Sequence, residues 1–186
     1  MVFARHYNAC FSTLEFNMSA QTLRYIAAYP AEIQARVAAL LADNQLGGML
    51  AQRYPDAHRY VSAGALYEYT QNLKSQYLRS SAPLSKVVYD DKLQVVEQAL
   101  GMHSFVSRVQ GNKLKAKKEM RIASLFRSAP EAFLRMIVVH ELAHLREKSH
   151  NKAFYKLCEY MEPDYHRLEL DVRIYLCQRE RYGDLW

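Results

Sequence analysis

The run at residues 138–150 reads VVHELAHLREKSH, and it places three histidines and a glutamate in an otherwise apolar stretch. His140 and His144 lie four positions apart, about one turn of an α-helix, so both imidazoles would project from one face. At this spacing both rings can reach one metal ion at about 2.0–2.1 Å. Glu141 would hold a carboxylate over the open position of that metal. The run therefore predicts a helical metal site with Glu141 as general base.

The residues on either side of this pattern strengthen the prediction. They are apolar on nearly every side from Phe133 to Leu145, which is typical of a buried helix, and buried polar groups need partners. His150 follows six positions after His144, and the polar segment between them would let the chain turn back. Three protein ligands and a water molecule are the usual ligands of catalytic zinc, so we predict one Zn²⁺ per chain. The alternative is three hydrogen-bonded core histidines.

The neighbouring segments predict an α+β fold. Residues 103–110 and 119–126 alternate apolar and polar side chains on either side of a glycine–asparagine turn, which favours an antiparallel hairpin. Ser128 and Glu131 fit a capping box at the start of the histidine-bearing helix. Asn151 is placed to cap the next helix. After Pro163, the last residues again predict a helix.

The first half of the chain predicts mostly helices, separated by proline and glycine. One more helix is predicted at residues 90–101, which read DDKLQVVEQALG. No linker or repeat marks a firm boundary. We predict a helical N-terminal region at 1–85 and a domain carrying the metal site at 86–186, although the two could form one compact unit.

Composition limits the class of protein. The chain has 186 residues and a formal net charge of +6. Three scattered cysteines, Cys10, Cys158 and Cys177, give neither a disulfide framework nor a CxxC site. No segment has the length of a signal peptide core or of a membrane span. We therefore predict a cytoplasmic protein without membrane contacts.

A basic stretch precedes the second predicted strand. It runs from Lys113 to Arg121 and contains five Lys or Arg residues. Nucleic acid is the partner that such a cluster would favour. A solvated hairpin is the favoured interpretation, because no aromatic residues are interleaved for base stacking.

Residues 119–175 resemble the YgjP-like zinc metallopeptidases, a minimal zincin family. The resemblance lies in the strand EMRIAS, the helix PEAFLRMIVVHELAHL, the later histidine followed by KAFY, and the turn MEPDYHRLE. It implies a zincin-like core with a small antiparallel sheet, an active-site helix and C-terminal helices. It also implies that His140, His144 and His150 bind the metal and that Glu141 is the catalytic base.

The first functional prediction is therefore a zinc-dependent metallopeptidase that cleaves a peptide or protein substrate. Two alternatives stay open. One is a nucleic-acid-associated protease similar to the WLM and SprT-like proteases, which act on proteins crosslinked to DNA. The other is a non-catalytic binding module stabilised by its metal. Tyr165 and His166 are the nearest candidates for a donor to the developing oxyanion, although packing or capping is favoured for both.

Overall fold

A computed structural model describes residues 22–93, 106–108 and 117–186 of the chain. Within these ranges the helices are α1 (Ala31–Ala42), α2 (Leu46–Arg53), α3 (Ala63–Tyr77), α4 (Glu131–Ala143), α5 (Lys152–Met161) and α6 (Tyr165–Tyr182). The strands are β1 (Leu84–Asp90), β2 (Val106–Arg108) and β3 (Lys117–Ala123). Short 3₁₀ helices cover Leu23–Ile26 and Ser124–Arg127. No helix in the described ranges is long and apolar enough to cross a membrane.

The three strands form one mixed sheet in the order β1–β3–β2, and the predicted α+β class is confirmed. β2 and β3 pair antiparallel, with Val106 opposite Glu119, as the predicted hairpin requires. β1 pairs parallel to β3, so the sheet is not the purely antiparallel one that was predicted.

Strand β1 was not predicted from the sequence, because its apolar residues do not alternate. Leu84 and Val87 are its buried residues, and they lie three positions apart. A register shift between Leu84 and Lys86 breaks the two-residue period that identifies a strand. Asp90, predicted to open a helix, instead ends this strand. Most of that predicted helix, at 90–101, lies outside the described residues.

The described residues form two compact units. One contains the described residues up to Arg53 together with Leu170–Leu185, and Arg53 forms an ion pair with Asp171 inside it. The other contains Tyr54–Glu169 and Trp186, including the whole sheet and helices α3 to α5. The domain division predicted between residues 85 and 86 stays a prediction, because a compact unit need not be a domain that folds by itself.

Helix α4 is the buried helix of the second unit, as its apolar sequence predicts. Every residue from Met136 to Ala143 is buried. The predicted capping box is wrong: Pro130 occupies the N-cap position, and no side chain caps the helix. Ser128 instead ends the preceding 3₁₀ helix, so α4 begins too late for its hydroxyl to reach the first turn. The carbonyl of Pro130 accepts the first helical bond, from the amide of Phe133 at 3.0 Å.

The predicted cap of α5 is confirmed. Asn151 accepts a hydrogen bond from the amide of Phe154 at 2.9 Å through its side-chain oxygen. Because this bond satisfies one open N–H of the first turn, Asn151→Ala should lower the free energy of unfolding by about 1 kcal/mol. Urea unfolding measures this change in the free energy of unfolding. Lys152→Ala is the matched control, since its side chain is exposed and is not the cap of the helix. Equal stability of the two variants would contradict the capping role.

Candidate metal centre

Three imidazoles meet at the end of α4. The Nε2 atom of His140 lies 3.2 Å from Nε2 of His144 and 3.1 Å from Nε2 of His150. The potential ligand atoms of the three residues all lie within 4.8 Å of one another. Two nitrogens that bind one tetrahedral zinc ion at 2.0–2.1 Å are about 3.3–3.4 Å apart. The spacing therefore fits three ligands of a single ion.

Local chain geometry explains how these three residues converge. His140 and His144 share one face of α4, and His144 is its C-cap residue. The chain then turns tightly, with the amide of Leu145 donating to the carbonyl of Leu142 at 3.0 Å. This turn brings His150 back over the helix end, immediately before the cap residue of α5. The polar segment between His144 and His150 therefore turns the chain back toward the other two histidines, as predicted.

Hydrogen bonds hold two of the rings from behind. Nδ1 of His144 lies 2.8 Å from the carbonyl oxygen of Glu147. A carbonyl can only accept, so this nitrogen carries the proton, and the lone pair of Nε2 points into the cluster. Nδ1 of His140 lies 2.7 Å from the hydroxyl of Tyr165. Such partners orient metal-binding histidines in proteins.

Phe154 forms the floor of the cluster. Its side chain is fully buried. The ring centroid lies 5.0 Å from His140, 4.5 Å from His144 and 4.7 Å from His150. One apolar ring therefore limits the movement of all three imidazoles. Sequence reasoning missed this role, because Phe154 looks like any apolar residue of an amphipathic helix.

Glu141, next to His140 in sequence, is buried, and only 4% of its surface is exposed. Burial raises the pKa of its carboxyl group to about 8, because removal from water disfavours the charged form. Its Oε2 atom is buried with no hydrogen-bond partner among the described residues. A bound cation would compensate such a carboxylate and favour its ionised form. Together with the nitrogen spacing, this shows that the residues present fit a metal ion.

The two predicted candidates for an oxyanion donor are placed differently. Tyr165 is fully buried and contacts His140 on the Nδ1 side, away from the point where the three Nε2 atoms meet. His166 points outward, and its Nε2 atom lies 3.2 Å from the carboxylate of Glu159. Tyr165 therefore lies on the opposite side of His140 from the Nε2 atoms, and His166 pairs with Glu159.

Arg121, at the described end of the basic stretch, is paired with carboxylates within the protein. Arg121 forms ion pairs with Asp90 at 2.6 Å and with Glu119 at 3.1 Å. Glu119 also lies 3.7 Å from the ammonium group of Lys86. Residues 113–116 lie outside the described residues. Arg121 is thus engaged in the sheet rather than free for phosphate groups.

Comparison with known proteins identifies the family. The sequence model of the YgjP-like metallopeptidase domain family matches residues 59–173, which include the whole histidine cluster. The chain belongs to the YgjP-like family. This confirms the resemblance found in the sequence. A metallopeptidase-type family and a cluster of three histidines together support a hydrolase with a metal cofactor.

One relative of this YgjP-like chain is named for an activity other than that of a metallopeptidase. The UTP pyrophosphatase of Escherichia coli (strain K12) is 57% identical over 156 residues, which cover 84% of this chain and 93% of the relative. That name describes hydrolysis of a nucleotide rather than of a peptide. No solved structure matches the YgjP-like chain at a significant level.

Proposed function

We propose that the protein is a zinc-dependent hydrolase in which His140, His144 and His150 hold the metal and Glu141 is the general base. The observation that carries the proposal is the convergence of three Nε2 atoms at the spacing expected of zinc ligands. The buried carboxyl group of Glu141, which follows His140 in sequence and has an oxygen with no hydrogen-bond partner among the described residues, supports the role of Glu141. Zinc is proposed because imidazole is one of its preferred ligands.

The roles of the side chains follow from their positions. A zinc ion bound by the three histidines would supply Lewis-acid chemistry and a more acidic water molecule. Glu141, next to His140 in sequence, accepts the proton of the attacking water and returns it to the leaving group. Burial raises the pKa of this carboxyl group to about 8. A pKa close to neutral pH suits proton transfer in both directions.

For the substrate, we propose UTP, hydrolysed with one water molecule to UMP and pyrophosphate. The support is the relative named UTP pyrophosphatase, with 57% identity over most of both chains. Cleavage would break the bond between the α-phosphate and its bridging oxygen, or between that oxygen and the β-phosphate, and the water oxygen would remain on the attacked phosphorus. An activated water and a general base serve this reaction as well as they serve amide hydrolysis.

Peptide-bond hydrolysis is the second candidate, and it is favoured by the metallopeptidase description of the matching family. The nucleic-acid-associated protease receives less support, because Arg121 of the basic stretch is already paired with two carboxylates. A non-catalytic binding module would leave the buried Glu141 without a chemical role.

The test is to measure metal content and turnover on the same preparation. We expect a single zinc ion per chain, and we expect UTP to yield UMP and pyrophosphate. Chelation should abolish turnover, and added Zn²⁺ should restore it. The His144→Ala variant, purified identically, is the control against contaminating hydrolases, since it removes a ligand nitrogen.

Each outcome assigns the function differently. Cleavage of a peptide library without nucleotide turnover would favour the second candidate. Bound metal without turnover of either substrate would favour a binding module. A wild-type protein that takes up no metal, even with added Zn²⁺, would contradict the metal site itself.

A further inference from the structure

Tyr165 is a buried residue whose hydroxyl group is hydrogen-bonded to His140, a proposed metal ligand. It is the first residue of α6, and its side chain is fully buried. Its hydroxyl oxygen lies 2.7 Å from Nδ1 of His140. The two rings are nearly parallel, at an interplanar angle of 21° and a centroid distance of 6.3 Å. The hydroxyl group thus meets the edge of the imidazole opposite the Nε2 cluster.

The direction of this hydrogen bond decides its effect. A phenol carries one proton and can also accept, whereas a neutral imidazole has one N–H and one lone pair. The Nε2 atom of His140 faces the Nε2 atoms of His144 and His150 at 3.2 Å and 3.1 Å, so a metal bound there would take its lone pair. The proton of neutral His140 would then be on Nδ1, and the oxygen of Tyr165 would accept a hydrogen bond from it.

We propose that Tyr165 is a positioning residue that accepts a hydrogen bond from Nδ1–H of His140. This arrangement holds the tautomer of His140 whose Nε2 lone pair points toward His144 and His150. The inference rests on the proposed metal site and adds a residue that the histidine–glutamate pattern does not contain.

The physical reason lies in the equilibrium between the two imidazole tautomers. Without a partner at Nδ1, His140 can carry its proton on Nε2, where no metal can bind, and the ring can turn about its side-chain bonds. Tyr165 accepts from the Nδ1–H that the binding tautomer requires and holds the ring in place, so less free energy is spent on ordering the ligand. Outer partners of this kind typically change metal affinity by about 10–100-fold.

The Tyr165→Phe variant tests the inference, because phenylalanine keeps the ring and removes only the hydroxyl group. We expect the apparent Kd for Zn²⁺, measured by competition with a chromogenic chelator, to rise by about 10–100-fold. The absorption spectrum of the Co²⁺-substituted protein should also change, since the orientation of one ligand differs. A role limited to packing would leave both quantities unchanged.

Two controls make the result specific. Tyr175→Phe removes another buried hydroxyl from α6, which donates to Asp184 at 3.1 Å, and it should leave the Kd for Zn²⁺ unchanged. Thermal unfolding of each apoprotein shows whether the variant is folded before metal is added.

The outcomes separate this inference from the proposed function. If wild-type protein binds Zn²⁺ and Tyr165→Phe binds it with the same Kd and the same Co²⁺ spectrum, Tyr165 has no positioning role. If the wild-type protein itself binds no Zn²⁺, the proposed metal site fails first. A higher Kd in Tyr165→Phe, with Tyr175→Phe unchanged, supports the positioning role.

Discussion

We expect Glu141→Gln to hydrolyse substrate about 10²–10⁴-fold more slowly than the wild-type protein while binding the same amount of zinc. Glutamine has nearly the shape of glutamate, so the packing of a side chain that is 4% exposed is kept. An amide cannot accept the proton of the attacking water, so the proposed general base is removed. The nitrogens of His140, His144 and His150 are unaffected, and the metal should remain.

The measurement pairs turnover of UTP and of a peptide library with metal content of the same sample. Glu159→Gln is the matched control, because this half-exposed carboxylate pairs with His166 and takes no part in the cluster. Turnover of Glu141→Gln within a few-fold of the wild-type rate would contradict the assignment of the base. Loss of the metal together with turnover would instead give Glu141 a structural role at the site.

The second large effect is expected for Phe154→Ala. Removal of a fully buried phenyl group leaves a cavity, which typically costs about 3–5 kcal/mol of folding free energy. The same cavity lies beneath all three imidazoles, whose centroids are 4.5–5.0 Å from the ring. Zinc affinity should therefore fall as well, because the histidines would no longer be held in the binding geometry.

Phe126→Ala is the control that separates the loss of stability from the loss of zinc affinity. Phe126 is also fully buried, but it belongs to the 3₁₀ helix that precedes α4 rather than to the helix beneath the histidines. Both variants should lose stability in urea unfolding, and only Phe154→Ala should bind Zn²⁺ more weakly. Equal zinc affinity in the two variants would show that the floor of the cluster does not hold the ligands.

Short-range patterns made the centre predictable. His140 and His144 share a helix face because of the 3.6-residue period, and that relation holds wherever the helix packs. The buried nature of α4 followed from apolar residues on every side. Asn151 was recognisable as a cap because the side chain bonds an amide only three residues away. In each case the interacting groups are neighbours in the sequence.

Local sequence patterns predicted the wrong structure where contacts between residues distant in the sequence competed with them. Ser128 had the right residue type and spacing for a cap, but it ends the preceding 3₁₀ helix. Strand β1 lacks alternation and exists through its parallel pairing with β3, about thirty residues later in the chain. The residues of β1 alone do not reveal a pairing partner at that separation.

The sequence by itself determined the buried helix that carries His140 and Glu141, because this depends on residue types at helical spacing. It also determined the family, through several matching segments. Only the tertiary structure decided that Phe154 lies beneath the histidines and that Tyr165 holds His140 from behind. Tyr165 is 25 residues from His140, and their contact arises from the packing of the first turn of α6 against the end of α4. Such contacts depend on how helices pack, and no periodicity along the chain encodes which side chains will meet there.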